Sequence, residues 1–356
     1  MIRSVRALLL LGAAICSLTV SVSSVLAQSS VPSGGTMSSG GPLRPDQGCY
    51  DVQHYRLILK VDPKQREISG ELTMRALMLS DSKHLTLHLD SLLKVSGVSL
   101  LSREANWKHT DGIIRVTTES IFRRGSIVEV RVHYRGHPRI AKAPPWQGGF
   151  TWSKTKSGAP WIATSCQGQG ADLWWPCKDH PSDKPSSMDL IISVPKGLTC
   201  ASNGTLKEQK TKGDWTTFHW HIANPISNYC VALNIAPYKR LDAKMRSLDG
   251  TTFPVYFWVL PEDEKKGRAI LPQFIRHLHF FEKTIGPYPF RNEKYGVVQT
   301  PHLGMEHQTI IAYGNRFNGL RGDYDWLHHH ELSHEWWGNL VTCRDWKDMW
   351  IHEGFG

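Results

Sequence analysis

The sequence predicts an α+β protein: a strand-built first part followed by a part in which strands and helices mix. Three observations carry this. Residues 46–240 contain eight runs of alternating or clustered apolar side chains between turn signals: YRLILKVDP (55–63), EISGELTMRALML (67–79), HLTLHLD (84–90), IIRVTT (113–118), SIVEVRVHYRG (126–136), MDLIISVP (188–195), FHWHI (218–222) and YCVALNIAPY (229–238). Between 262 and 286, Ile270, Phe274, Leu278 and Phe281 recur at helical spacing and Gly286 closes the segment. Around that helix lie further strand patterns at 253–261, 294–300 and 305–314, then short helical segments at 324–338 and 346–356.

The order of segments is therefore a leader (1–27), a Ser/Gly-rich linker (28–45), a β-rich domain (46–240) and a mixed domain (241–356). Arg3 and Arg6 precede an apolar core that ends in Val25-Leu26-Ala27, the pattern of a cleaved secretory signal. No later apolar stretch reaches spanning length, so the expected product is exported, periplasmic or extracellular, without a stable membrane span once the signal is removed. The formal charge of +10 comes from scattered residues, which argues for a solvated basic surface and against nucleic acid as a partner. Of seven cysteines, six lie beyond the leader. An even count in an exported protein permits disulfides, with Cys200 and Cys230 placed to meet across a sheet, while the lack of any C-x-x-C unit argues against a cysteine zinc site. The run into Gly356 has no closing signal, so the natural chain is expected to continue.

The chemistry concentrates in HHHELSHEWWGN (328–339). H-E-x-x-H fits one register, His330-Glu331-Leu332-Ser333-His334. On a helix, i and i+4 imidazoles share a face at roughly 6 Å and can hold one Zn²⁺, while Glu331 reaches a water on that ion without ligating it. His328 and His329 fall outside the pattern, with His329 placed to support the site from behind. A third protein ligand is required. Glu353, in MWIHEGFG, follows His334 after eighteen residues. That gap accommodates a turn, a loop and the start of a second helix.

H-E-x-x-H-x18-E, flanked by WWGNLVT and WIHEGF, resembles the aminopeptidase N family of zinc metallopeptidases, the gluzincins whose third ligand is a glutamate. The family's G-x-M-E-N motif has its counterpart in Leu303-Gly304-Met305-Glu306-His307, with Leu303 and His307 departing at the ends. P-C-x-D-x-P-x-x-K is whole at Pro176–Lys184, and Gln167 stands where the family carries Gln or Glu. The resemblance spans roughly residues 50–356. It implies a saddle-like β domain followed by the first part of a thermolysin-like catalytic domain. It also implies one Zn²⁺ per chain on His330, His334 and Glu353, with Glu331 as general base, and peptide substrates with a free N-terminus. Glu306 and Gln167 would bind the substrate's ammonium, Gly304 would let the strand approach its backbone, and Met305 would line the pocket for its first side chain.

The resemblance places an oxyanion-stabilising tyrosine and a helical domain downstream of Gly356, so residues 28–356 alone are expected to turn over weakly or not at all. A zinc endopeptidase with the same ligands and a catalytically incompetent fragment or binding protein are the alternatives. Trp174, Trp175, Trp336 and Trp337 read as packing residues, Glu335 as a surface or supporting group, and Asn203-Gly204-Thr205 as a turn.

Overall fold

The computed structural model describes residues 39–318, 320–321 and 324–356. The predicted signal segment lies outside them. An eight-stranded sheet dominates the first part, in the order 205–212, 215–222, 187–195, 50–62, 67–78, 127–136, 93–100 and 103–104. Its strands are long where the sequence alternates. In Ser187–Pro195 every second residue is buried, so one face meets the core and the other meets water. A three-stranded sheet (82–88, 113–122, 106–110) and a four-stranded sheet (199–201, 234–236, 160–165, 149–154) pack on the same apolar core.

A five-stranded mixed sheet follows, ordered 239–246, 252–259, 295–299, 311–313, 304–305. Strands 252–259 and 295–299 are parallel, and the helix Glu264–Ile285 makes the crossover that parallel pairing requires. Leu271, Phe274, Leu278 and Phe281 are buried on its inner side in a second apolar core that begins at Leu241. Gly267 lets this helix lie close to the sheet, since a Cβ there would come within 2.7 Å of Val259 Cγ1. The two-residue strand Gly304–Met305 is the outermost of the five, paired on one side only.

Four expectations are corrected. The run 229–238 is a 3₁₀ turn (Asn228–Cys230) and a three-residue strand (Asn234–Ala236), because side chains take the backbone bonds a ladder would use: Asn203 Nδ2 donates to the Cys230 carbonyl at 2.9 Å and Ser202 Oγ to that of Ala232 at 2.6 Å. Cys200 and Cys230 are not bonded; all six described cysteines are free and buried, and the Cys230 thiol donates to Asn339 Oδ1 at 3.0 Å. The helix expected at 324–338 is Trp326–Ser333. Beyond it the backbone widens: Asn339, Leu340 and Val341 N–H bond the carbonyls of His334, Glu335 and Trp336, and Gly338 takes φ 138°. The segment 346–356 is a 3₁₀ turn (Trp346–Asp348) and one helical turn (Trp350–Glu353). Asn203-Gly204-Thr205 is a turn as expected, with Gly204 at φ 73° and Asn203 fully buried.

Candidate metal centre and substrate cleft

Asp325 starts the helix that carries the two histidines. Its buried carboxylate caps the His328 N–H at 3.0 Å and is itself held by the Tyr313 hydroxyl and the Asn315 amide. The three consecutive histidines then meet three environments. His328 stacks on Phe274 with ring centroids 3.7 Å apart and bonds Tyr295 and His277, so it is a core residue. His329 packs beside Phe281 and Tyr324 on the long-helix side, not behind the metal position that the sequence allowed for it. Only His330 turns toward His334.

His334 is the helix C-cap but keeps right-handed helical φ/ψ (−67°, −15°), which preserves the i,i+4 relation. His330 Nε2 and His334 Nε2 lie 3.3 Å apart, and Glu353 Oε2 lies 3.6 and 3.8 Å from them. For zinc bonds of about 2.1 Å, tetrahedral geometry asks for ligand separations of about 3.4 Å, so this trio fits the ion. Among the described residues it is the one group of three or more His, Cys, Asp or Glu donor atoms that converges in this way. His334 Nδ1 donates to the Trp337 carbonyl at 3.0 Å, which leaves Nε2 with its lone pair toward the metal position. Burial, then the neighbouring His334, lowers the pKa of His330 and keeps it a neutral donor.

Three carboxyl groups crowd this point. Glu331 is buried on the same helix, and burial, then Glu306, then Glu353 push its pKa well above the carboxylate range. Glu331 Oε1 occupies the space where a side chain at Gly304 would be; a Cβ there would overlap it. Glu306 is buried beside them, its pKa raised mainly by desolvation. Its Oε1 accepts from Tyr229 OH and Gln167 Nε2, both at 3.1 Å, and Asn339 Nδ2 donates to its backbone carbonyl at 2.9 Å. Gln167 Nε2 also reaches Glu353 Oε1 at 3.3 Å and so spans the two carboxylates. One cleft is lined by Gln167, Gly304, Met305, Glu306, His330, Glu331 and Glu353, so seven of the eight sequence-named residues border it directly; the eighth, His334, is almost fully buried, with its Nε2 3.8 Å from Glu353 Oε2.

Sequence reasoning missed four supports. Tyr229 and Asn339 hold Glu306, as described. His352 is buried and its Nε2 accepts the Cys343 N–H at 2.9 Å; burial lowers its pKa to about 4, so it stays an acceptor. That bond fastens the turn that carries Glu353. Lys184, the last residue of the motif at 176–184, donates to the Asn339 carbonyl at 2.6 Å and to Thr342 Oγ1 at 3.0 Å, tying the first part of the chain to the loop behind the metal ligands. The motif itself was the available signal for Lys184. Of the two readings open for Glu335, the supporting one holds and the surface one does not: it is fully buried, accepts from Thr309 N at 2.9 Å and Asn339 Nδ2 at 3.2 Å, and burial raises its pKa to about 8.

Comparison with known proteins identifies the family. Residues 51–230 match the peptidase M1 N-terminal domain and residues 275–356 the peptidase family M1 domain. The chain is 28% identical over 219 residues to aminopeptidase N of Haemonchus contortus, covering 56% of this chain and 22% of that one. It is 25% identical over 319 residues to leucine aminopeptidase 2 of Chaetomium globosum, covering 86% and 50%. Among solved structures, an M1 zinc metallopeptidase from Deinococcus radiodurans, a mutant bound to a Tyr-Ser-Ala substrate, superposes with TM-score 0.73 at 25% identity, covering 90% of this chain and 71% of that one. The fold matches that of solved M1 zinc metallopeptidases. The chain belongs to the M1 family of peptidases, and it spans half or less of the length of these curated relatives.

Proposed function

We propose that the protein is an exported zinc aminopeptidase that removes N-terminal residues from peptides, with a β-rich domain at 46–240 and a catalytic domain from 241. The reading rests on one observation above others: a buried carboxylate, Glu306, stands beside the convergence of His330, His334 and Glu353. One zinc ion per chain would sit on those three ligands, where it would polarise the scissile carbonyl and lower the pKa of a water to near 7. Glu331 would take the proton from that water and pass it to the leaving amine; its carboxyl lies in the cleft against Gly304, on the helix that carries His330.

Glu306 supplies the preference for chain ends. A free ammonium pairs with a buried carboxylate, whereas an internal amide leaves that carboxylate desolvated and unpaired. Gln167 holds Glu306 in place and offers its carboxamide oxygen next to the same ammonium. Gly304 brings an edge strand to the substrate backbone, which can add alongside it, and Met305 borders the space for the first side chain. No described helix is long and apolar enough to cross a membrane; export is inferred from the leader sequence.

The test is Glu306→Ala in the full-length protein, scored on matched peptides with free and acetylated N-termini. Loss of a desolvated ion pair is expected to lower kcat/KM on the free peptide by about 100-fold or more. Wild-type cleavage of the acetylated peptide at a similar rate would instead mark an endopeptidase.

A further inference from the structure

Trp146 stands apart from most tryptophans of this chain. Trp174, Trp175, Trp220, Trp258 and Trp336 are buried, whereas Trp146 is 66% exposed and, among the described residues, no aromatic ring packs against it. It borders the same cleft as Gln167, Met305, Glu306 and Glu353.

The loop that presents it is held firmly. Gln147 N–H bonds the Ala143 carbonyl at 2.9 Å, Lys142 N–H bonds that of Gln147 at 3.1 Å, and Ala141 N–H bonds that of Phe150 at 3.0 Å. At the loop's exit Gly148 lies flat on the Ser165 carbonyl, where any Cβ would overlap it, and its N–H donates to Gln169 Oε1. The loop is thus fastened to Ser165–Gln169, the stretch that carries Gln167. The loop therefore presents the indole to the same cleft as Gln167, Met305 and Glu306.

We propose that Trp146 is a specificity-determining residue: its indole face, with Met305 and Pro145, forms the wall for the substrate's first side chain, and the preferred substrates are peptides that begin with an aromatic or large apolar residue. This rests on the aminopeptidase reading above. A substrate with its ammonium on Glu306 and its first carbonyl at His330, His334 and Glu353 lies in the cleft that Trp146, Pro145 and Met305 border. Covering an exposed indole with a flat apolar group removes both from water and allows ring stacking; a methyl group covers little of it.

Calorimetric binding of L-phenylalaninamide and L-alaninamide to the zinc-loaded full-length protein tests this without turnover. The wild type is expected to hold the phenylalanine amide about 10-fold more tightly or better. Trp146→Ala should bring the two within about threefold, and Trp146→Phe should restore most of the difference. A Trp146→Ala protein with the wild-type ratio, or one that loses both ligands in equal measure, overturns the assignment. A wild type that binds neither amide overturns the aminopeptidase reading and this inference with it.

Discussion

Two arms of the chain meet at the candidate metal centre, and they are built differently. The helix Trp326–Ser333 is capped by a buried aspartate, its C-cap His334 is 1% exposed at the side chain, and its Leu327 and Leu332 pack in the second core. The turn Trp350–Glu353 is four residues long, its Glu353 is 46% exposed at the side chain, and His352 is its buried anchor. The difference teaches that this site has a preformed half and an adjustable half. The imidazoles stand on a capped helix; the carboxylate is brought in by the His352 bond and by Gln167.

Variants on the two arms sharpen or break that contrast. The largest effect belongs to the fixed arm. Glu331→Gln is expected to cut turnover of an amino-acid p-nitroanilide by about 10²–10⁴-fold in the full-length protein while zinc content, read by atomic absorption, stays at the wild-type ratio. Loss of zinc in that variant would mean that Glu331 is a ligand. Next, competition with a chromogenic chelator should rank zinc affinities: His334→Ala weakens binding more than Glu353→Ala, because the preformed half survives in the latter. The reverse order would break the contrast. His352→Ala removes the anchor and leaves all ligands in place; a second-layer loss of this kind costs about 10–100-fold in zinc affinity, and an affinity within twofold of wild type would show that the turn is held by something else.

The smallest effect separates the metal-facing histidines from those in the interior. Burial lowers His302 to about 4, and burial with His302 lowers His307 to about 3. The folded state refuses protons that the unfolded chain accepts from about pH 6.5 downward. Stability is therefore present above that pH and is lost as pH falls toward the folded values, by about 1.4 kcal/mol per pH unit for each such imidazole. Thermal midpoints should fall from pH 7 to pH 5, and His307→Asn should flatten the slope. An unchanged slope would show that His307 takes up its proton without unfolding.

Much of the fold was legible because long strands alternate and the crossover helix keeps its apolar spacing. What was not legible was decided by contacts far apart in sequence or by turns that side chains close. The strands Gly149–Lys154 and Pro160–Ser165 bury their residues in blocks and not alternately, so no period shows. The helix at 326 ends early because Asn339 turns back to Glu335 and Glu306, which spacing does not reveal. The ligand candidates stood out because two of them are one helical turn apart. Tyr229 did not, because the Glu306 it supports is 77 residues away. Glu335 could be read as a surface or a supporting group, since nothing local announces that a carboxyl will be buried.

Zinc K-edge X-ray absorption of the zinc-loaded protein tests the central claim most directly. The account predicts one zinc per chain with two imidazole nitrogens and oxygen from a carboxylate and water near 2.0–2.1 Å, and loss of the carboxylate contribution in Glu353→Ala. A sulfur shell near 2.3 Å, or a spectrum indifferent to Glu353→Ala, would contradict it.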